Sequence, residues 1–177
     1  MNAANEFGSR PFVAGAIVGT RSWMIQNGSL TGVRYRSQDW TDGTNEAECH
    51  KSGGGYTVSG LAHSMTRGGG FIPSWVPPHE PCLLDCRCGF YAYFDGSVDY
   101  AGEADVSGVI EGFGSCVVGD RGFRAARARV IALVVPELTT LQAMCEWSDV
   151  RAQFPRVPTY ATLSQAVANH PLTSVAA

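Results

Sequence analysis

The stretch His79-Glu80-Pro81-Cys82-Leu83-Leu84-Asp85-Cys86-Arg87-Cys88-Gly89 packs more soft metal ligands together than any other part of the chain, and Cys49-His50 lies about thirty residues upstream. Between the two runs a Gly- and Pro-rich segment: Gly53-Gly54-Gly55, Gly68-Gly69-Gly70, then Pro73, Pro77, Pro78 and Pro81. A run this long without a hydrophobic period needs an anchor to belong to a compact domain. A metal supplies one. Zinc takes four ligands in a tetrahedron, from thiolate sulfur and imidazole nitrogen. Cys86-x-Cys88 offers two thiols on one tight turn, and Gly89 directly after relaxes the backbone limits that a knuckle imposes. His79 is seven residues before Cys86, with Pro81 between them, and Cys49 supplies a distant fourth ligand. The preferred set is Cys49, His79, Cys86 and Cys88 holding a structural Zn2+. Cys82 is an alternative to His79, and His50 to Cys49.

Other readings of the same residues are buried free thiols, which pack as small hydrophobes, a disulfide, or an iron–sulfur site on Cys49, Cys82, Cys86 and Cys88. Cys116 and Cys145 sit in apolar contexts and read as core thiols. The first residues carry no basic n-region or long apolar run, so no secretory signal is read there. The most apolar segment, Val130 to Val135, is too short to span a bilayer. A cytoplasmic protein is therefore expected, and in a reducing compartment six Cys point to metal or buried thiols before disulfides.

The 177 residues suggest a flexible N-terminus over 1–10 and a single domain over 11–177, with a metal-anchored segment over about 51–89. Charged content of 16% with 21 Gly favours strands and loops over long surface helices. A net charge of -3 gives no global attraction to nucleic acid or anionic membrane. Residues 13–36 read as an opening hairpin, with Asn27-Gly28 as its turn. Glu46 to His50 is a short strand or one helical turn. Phe90 to Phe94 is apolar without a clear period and could open a helix toward Tyr100, although Asp95-Gly96 argues for a turn. From Val106 the chain reads as strand, with a tight turn at Asp120-Arg121-Gly122 and a second strand over Phe123 to Val135. Leu138 to Ser148 predicts a helix. Thr159 or Thr162 could cap a last helix through about Asn169. The expected fold is α+β: a mostly antiparallel twisted sheet, a zinc knuckle on its side and one or two C-terminal helices.

Taken in order, Gly19-Thr20-Arg21-Ser22-Trp23, Trp40 with Gly43, Cys49, His79 to Ala92 with its Cys-x-Cys-Gly-aromatic-Tyr-Ala, and Gly122-Phe123-Arg124-Ala125 resemble an uncharacterised Cys/His protein family of actinobacteria and actinobacteriophages. The resemblance covers most of the chain between about 19 and 130. It implies a cytoplasmic protein with a Cys/His metal site and no particular activity, and it raises a phage-encoded factor acting on a host protein as one role. The basic residues, 13 in all with Lys51 the one lysine, fit a high-GC genome.

Arg121, Arg124, Arg127 and Arg129 form a local basic cluster. They could contact a nucleic-acid backbone or an acidic partner, or pair with Asp99, Glu103, Asp105 or Asp120 on a solvated face. Catalysis has little support. No Ser/His/Asp set is visible, Gly68-Gly69-Gly70 lacks the Lys-Ser/Thr of a phosphate loop, and a cysteine nucleophile would need His63 or His170 brought to it in space. A catalytic zinc would need an open position and a carboxylate, for which Glu80 and Asp85 are near in sequence. Three functions follow: a zinc-stabilised binding protein with a protein partner, a nucleic-acid-binding module using the Arg cluster, and a metal-dependent hydrolase-like enzyme.

Overall fold

The computed structural model describes residues 10–12, 16–33, 38–47, 88–98 and 104–173. Its spine is a long hairpin. β6 (Val106–Val118) is rich in Val and Ile, and β7 (Gly122–Val134) carries Val130, Ile131 and Val134 in its second half, residues that suit a pleated, half-buried surface. The turn between them closes with Gly119 donating to the Gly122 carbonyl at 2.8 Å. Two irregularities interrupt the pairing, between Val109 and Ile110 and between Phe113 and Cys116. Each shifts the alternation by one residue. Strict alternation from Phe123 would turn Ala128 and Val130 outward. With the two shifts Phe123, Ala125, Ala128, Val130 and Leu133 all join the main core.

Six further strands flank the hairpin. β1 (Arg10–Phe12) and β2 (Ile17–Gln26) lie antiparallel along one edge of β6, β1 against Cys116 to Val118 and β2 against Val106 to Gly112. β3 (Ser29–Gly32) returns along β2 through a turn at Asn27 and Gly28, whose φ angles of 52° and 75° fit the primed turn that matches strand twist. β4 (Asn45–Glu46), β5 (Phe90–Tyr93) and β8 (Thr159–Tyr160) share the free edge of β7, the last of them parallel. β5 also meets β2, where Thr20 pairs with Tyr93. The pairings β6–β2, β2–β5, β5–β7 and β7–β6 thus close four strands into a ring. Gly19 makes that closure possible. A Cβ there would lie 2.8 Å from a Phe123 ring carbon and 2.9 Å from both the Ala92 side chain and the Tyr93 carbonyl.

Trp23, Trp40 and Phe123 are the largest buried groups inside. Trp40 lies edge-on to Trp23 with centroids 5.4 Å apart and tilted against Phe90 at 4.6 Å. Two helices complete the α+β fold. α1 (Leu141–Gln153) is capped by Thr140, whose hydroxyl accepts from Ala143 N at 3.1 Å. With the turn after it, it adds Trp147, Val150, Phe154 and Val157 to the main core. α2 (Leu163–Asn169) is capped by Thr162, one of the two caps expected from the sequence, and packs Ala166 on Val109 and Ala132. No helix among the described residues is long and apolar enough to cross a membrane.

The structure differs from expectation at particular elements. Phe90 to Tyr93 forms a strand rather than the start of a helix, ending at the Asp95–Gly96 bend. The helix expected over 138–148 begins at Leu141, after its threonine cap, and continues to Gln153. Thr159 belongs to β8. Cys116 is buried as expected, whereas Cys145 is exposed on α1.

Candidate metal-anchoring site

Of the four proposed ligands only Cys88 lies among the described residues; Cys49, His79 and Cys86, with the alternatives His50 and Cys82, lie outside them. Among the described residues no three His, Cys, Asp or Glu side chains group as a metal site. What can be built from the residues upward is the ground around Cys88.

Cys88 and Gly89 lead into β5, whose Phe90 pairs with Ala125 of β7. Gly89 takes φ 133°, a backbone conformation that side-chain-bearing residues rarely adopt. This is the position where the sequence called for relaxed backbone limits. Two arginines hold the strand entry. Arg124 is 6% exposed and donates from Nη1 to the Cys88 carbonyl oxygen at 3.2 Å. Arg21, on β2, donates from Nη1 to the Tyr91 carbonyl oxygen at 2.7 Å.

The Arg21 guanidinium carbon sits 4.9 Å from the Trp40 ring centroid and 5.9 Å from that of Phe90, within cation–π range of both. Its Nε is buried and makes no hydrogen bond, and the buried indole N–H of Trp23, two residues on, makes none either. Among the described residues no carboxylate pairs with Arg21. Burial lowers its pKa to about 10, so it remains a cation at neutral pH.

A second approach reaches the same edge of β7. Trp40 donates its backbone N–H to the Leu30 carbonyl at 2.8 Å. The buried Asn45 then ties the following turn: its Oδ1 accepts from Thr41 N at 2.9 Å, and its Nδ2 donates to the carbonyls of Thr41, Gly43 and Ala128. Glu46 pairs with Arg127, and Ala47 N donates to the Ala126 carbonyl at 2.8 Å. The chain therefore leaves β4 at Ala126 and re-enters β5 at Ala125, neighbouring positions on one strand.

The sequence pieces quoted above, as far as they are described, surround this point. Gly19 lies against Phe123 and Ala92, Arg21 and Trp23 against Trp40, Trp40 against Phe90, and Arg124 against Cys88.

The arginine cluster does not form one exposed patch. Arg124 is buried as described. Arg121, in the β6–β7 turn, is 3.8 Å from the Asp95 carboxylate and 5.6 Å from the Tyr93 ring centroid. The Asp95 carboxyl is held below its usual range, first by the Ser97 hydroxyl that donates to it. Arg129 pairs with Glu111. Arg127 is exposed and lies over Phe113 at 5.6 Å. Arg127 and Arg129 share the outer face of β7, as strand geometry predicts.

No sequence pattern announces the Tyr160–His170 pair, an O···Nε2 contact of 3.1 Å that closes α2 against β8. The same is true of Thr173, which donates to the Val18 carbonyl at 3.0 Å and accepts from Val18 N at 2.8 Å.

Fold and site together define an α+β protein with a closed strand ring and an arginine–aromatic cluster beneath a cysteine-bearing strand entry. No protein-family model matches the chain, and neither curated proteins nor solved structures give a match.

Proposed function

We propose that this chain is a zinc-stabilised binding protein in which Cys49, His79, Cys86 and Cys88 hold a structural Zn2+ that fastens the 48–87 segment to the strand ring. One observation carries the reading: Ala47 and Phe90, the described residues nearest the two ends of that segment, are bound at Ala126 and Ala125 of β7. Cys49 is two residues beyond Ala47 and Cys88 two before Phe90, each within about 7 Å of its anchor by chain length. A four-ligand centre drawing on both ends of the segment is thus within reach without moving the fold. The donor set suits the ion, because thiolates and imidazole are the ligands zinc prefers in closed sites.

The binding role is supported by α1. Leu141 is 77% and Met144 52% exposed, one helical turn apart, with Cys145 exposed beside them. This pair on the outer face of α1 is a surface a partner of the proposed binding role could use. The resemblance adds that such a factor acts in the cytoplasm, on a host protein where the gene is carried by a phage.

Cys86→Ser combined with chelation tests the structural role. In the metal-loaded protein Cys86→Ser removes a ligand and a large part of a binding free energy on the order of 10 kcal/mol, so stability falls sharply. In chelated protein the same substitution changes little. Equal, small effects in both states would refute the structural zinc.

A further inference from the structure

Asn27, at the tip of the β2–β3 hairpin, is exposed, while Gly28 beside it is buried. Of the asparagines in the chain, Asn27 alone precedes a glycine. That neighbour matters chemically. Gly28 has no Cβ, so nothing hinders its backbone nitrogen from attacking the side-chain carbonyl carbon Cγ of Asn27. The new N–Cγ bond closes a five-membered imide, the Cγ–Nδ2 bond breaks, and the Gly28 amide proton leaves with that nitrogen as ammonia. Water then opens the imide at either carbonyl. The product is an aspartate, or an isoaspartate in which the backbone runs through the former side chain and the α-carboxylate hangs free.

The fold sets how readily the imide forms. Ring closure holds the Cα–Cβ and C–N bonds of residue 27 nearly eclipsed, which for an L residue puts ψ at about −120°, the value at the first central position of a type II′ turn. Asn27 has the positive φ of such a turn, 52°. Gly28 does not follow it. Its φ of 75° belongs to a type I′ turn, where type II′ needs about −80°. The peptide plane between the two residues must therefore flip before the imide can close. α1 stands against that flip. Gln153 donates from Nε2 to the Gly28 carbonyl at 2.7 Å and accepts from the Ser29 hydroxyl at 3.3 Å. Asp149 lies so close over Gly28 that a Cβ there would meet the aspartate Cβ at 2.8 Å and its Oδ2 at 3.1 Å.

We infer that Asn27 is a site of spontaneous deamidation whose rate is set by the docking of α1, through Gln153 and Asp149, on the hairpin tip. The inference is independent of the metal reading. It gives the conversion a structural consequence. The carboxylate formed at position 27 adjoins Gly28, which Asp149 already faces, so like charges meet where α1 rests on the hairpin and weaken that contact.

The test uses the full chain under mildly alkaline conditions. Peptide mapping by mass spectrometry follows loss of the amide at position 27, and isoaspartate is counted with the methyltransferase that labels it. Wild type is compared with Gln153→Ala, with Gln153→Glu, which keeps the side chain's size and removes its donor, and with wild type in denaturant. If the alanine variant fails to fold, Gln153→Glu carries the comparison. Conversion is expected at Asn27 ahead of Asn45 and Asn169, slowest in native wild type, about fivefold faster in both variants for the loss of one neutral hydrogen bond, and fastest in denaturant. Converted protein, separated by its added charge, should unfold at a lower midpoint than unconverted protein. Equal rates in native wild type and both variants overturn the control by α1. An Asn27 that keeps its amide in native wild type and variants while the denatured chain converts overturns the site. Converted protein as stable as unconverted overturns the consequence for α1.

Discussion

Arg124, buried on β7, donates to the carbonyl oxygen of Cys88 at 3.2 Å. The bond crosses from the central hairpin to the residue that leads into β5, so the place where Cys88, a proposed zinc ligand, enters the sheet is set by the core rather than by its own loop. The bond is charge-assisted, and its acceptor is half-buried.

Arg124→Met keeps much of the side chain's volume and deletes the donor. Losing a hydrogen bond from a charged group costs about 1.5–3 kcal/mol. Denaturant titration is expected to show a loss in that range, with zinc affinity falling alongside. No change in either would mean that the Cys88 carbonyl finds another donor at no cost.

Gly89→Ala addresses the backbone. At φ 133° an alanine is strained, and such conformations cost about 1–3 kcal/mol. The variant should be destabilised by that amount, and its cysteine turn should bind zinc less tightly. Alanine accepted at no cost, by equilibrium unfolding, would contradict the strand entry described here.

Cys116 gives a pH dependence. It packs inside the ring, and burial raises its pKa from 9.0 to about 11. In the unfolded chain the thiol ionises first, near its ordinary value. The folded state's advantage is therefore whole below about pH 9 and is lost as pH rises from there toward 11. Unfolding midpoints recorded across that window should fall more steeply for wild type than for Cys116→Ala. Alkylation in the native state should reach the exposed Cys145 and spare Cys116 until the protein unfolds.

Local chemistry made much of the fold readable. Asn27-Gly28, Asp120 to Gly122 and Thr162 each act on their neighbours, and each formed the turn or cap expected of it. Phe90 to Tyr93 has no period of its own to announce a strand. It becomes one because β7 offers an edge, a partner distant in sequence, as Phe90 pairs with Ala125. Ring closure was hidden for the same reason: nothing in the sequence shows that Phe123 and Ala92 press against Gly19. The two shifts in the β6–β7 pairing likewise decided that Ala128 and Val130 face inward and the alternating Arg127 and Arg129 outward. Of the expected site, the described residues include Cys88 alone, and Gly89 was readable as a backbone requirement. Arg21 and Arg124 were readable only as members of a motif and of a charge cluster, since hydrogen bonds to carbonyls leave no pattern in a sequence.

Elemental analysis of the purified protein, paired with a thiol titration, tests the central claim most directly. The account predicts about one zinc per chain, released together with newly titratable thiols when a chelator is added. Protein that carries no zinc, takes up none when it is supplied and shows all six of its cysteines as titratable thiols after denaturation would contradict it.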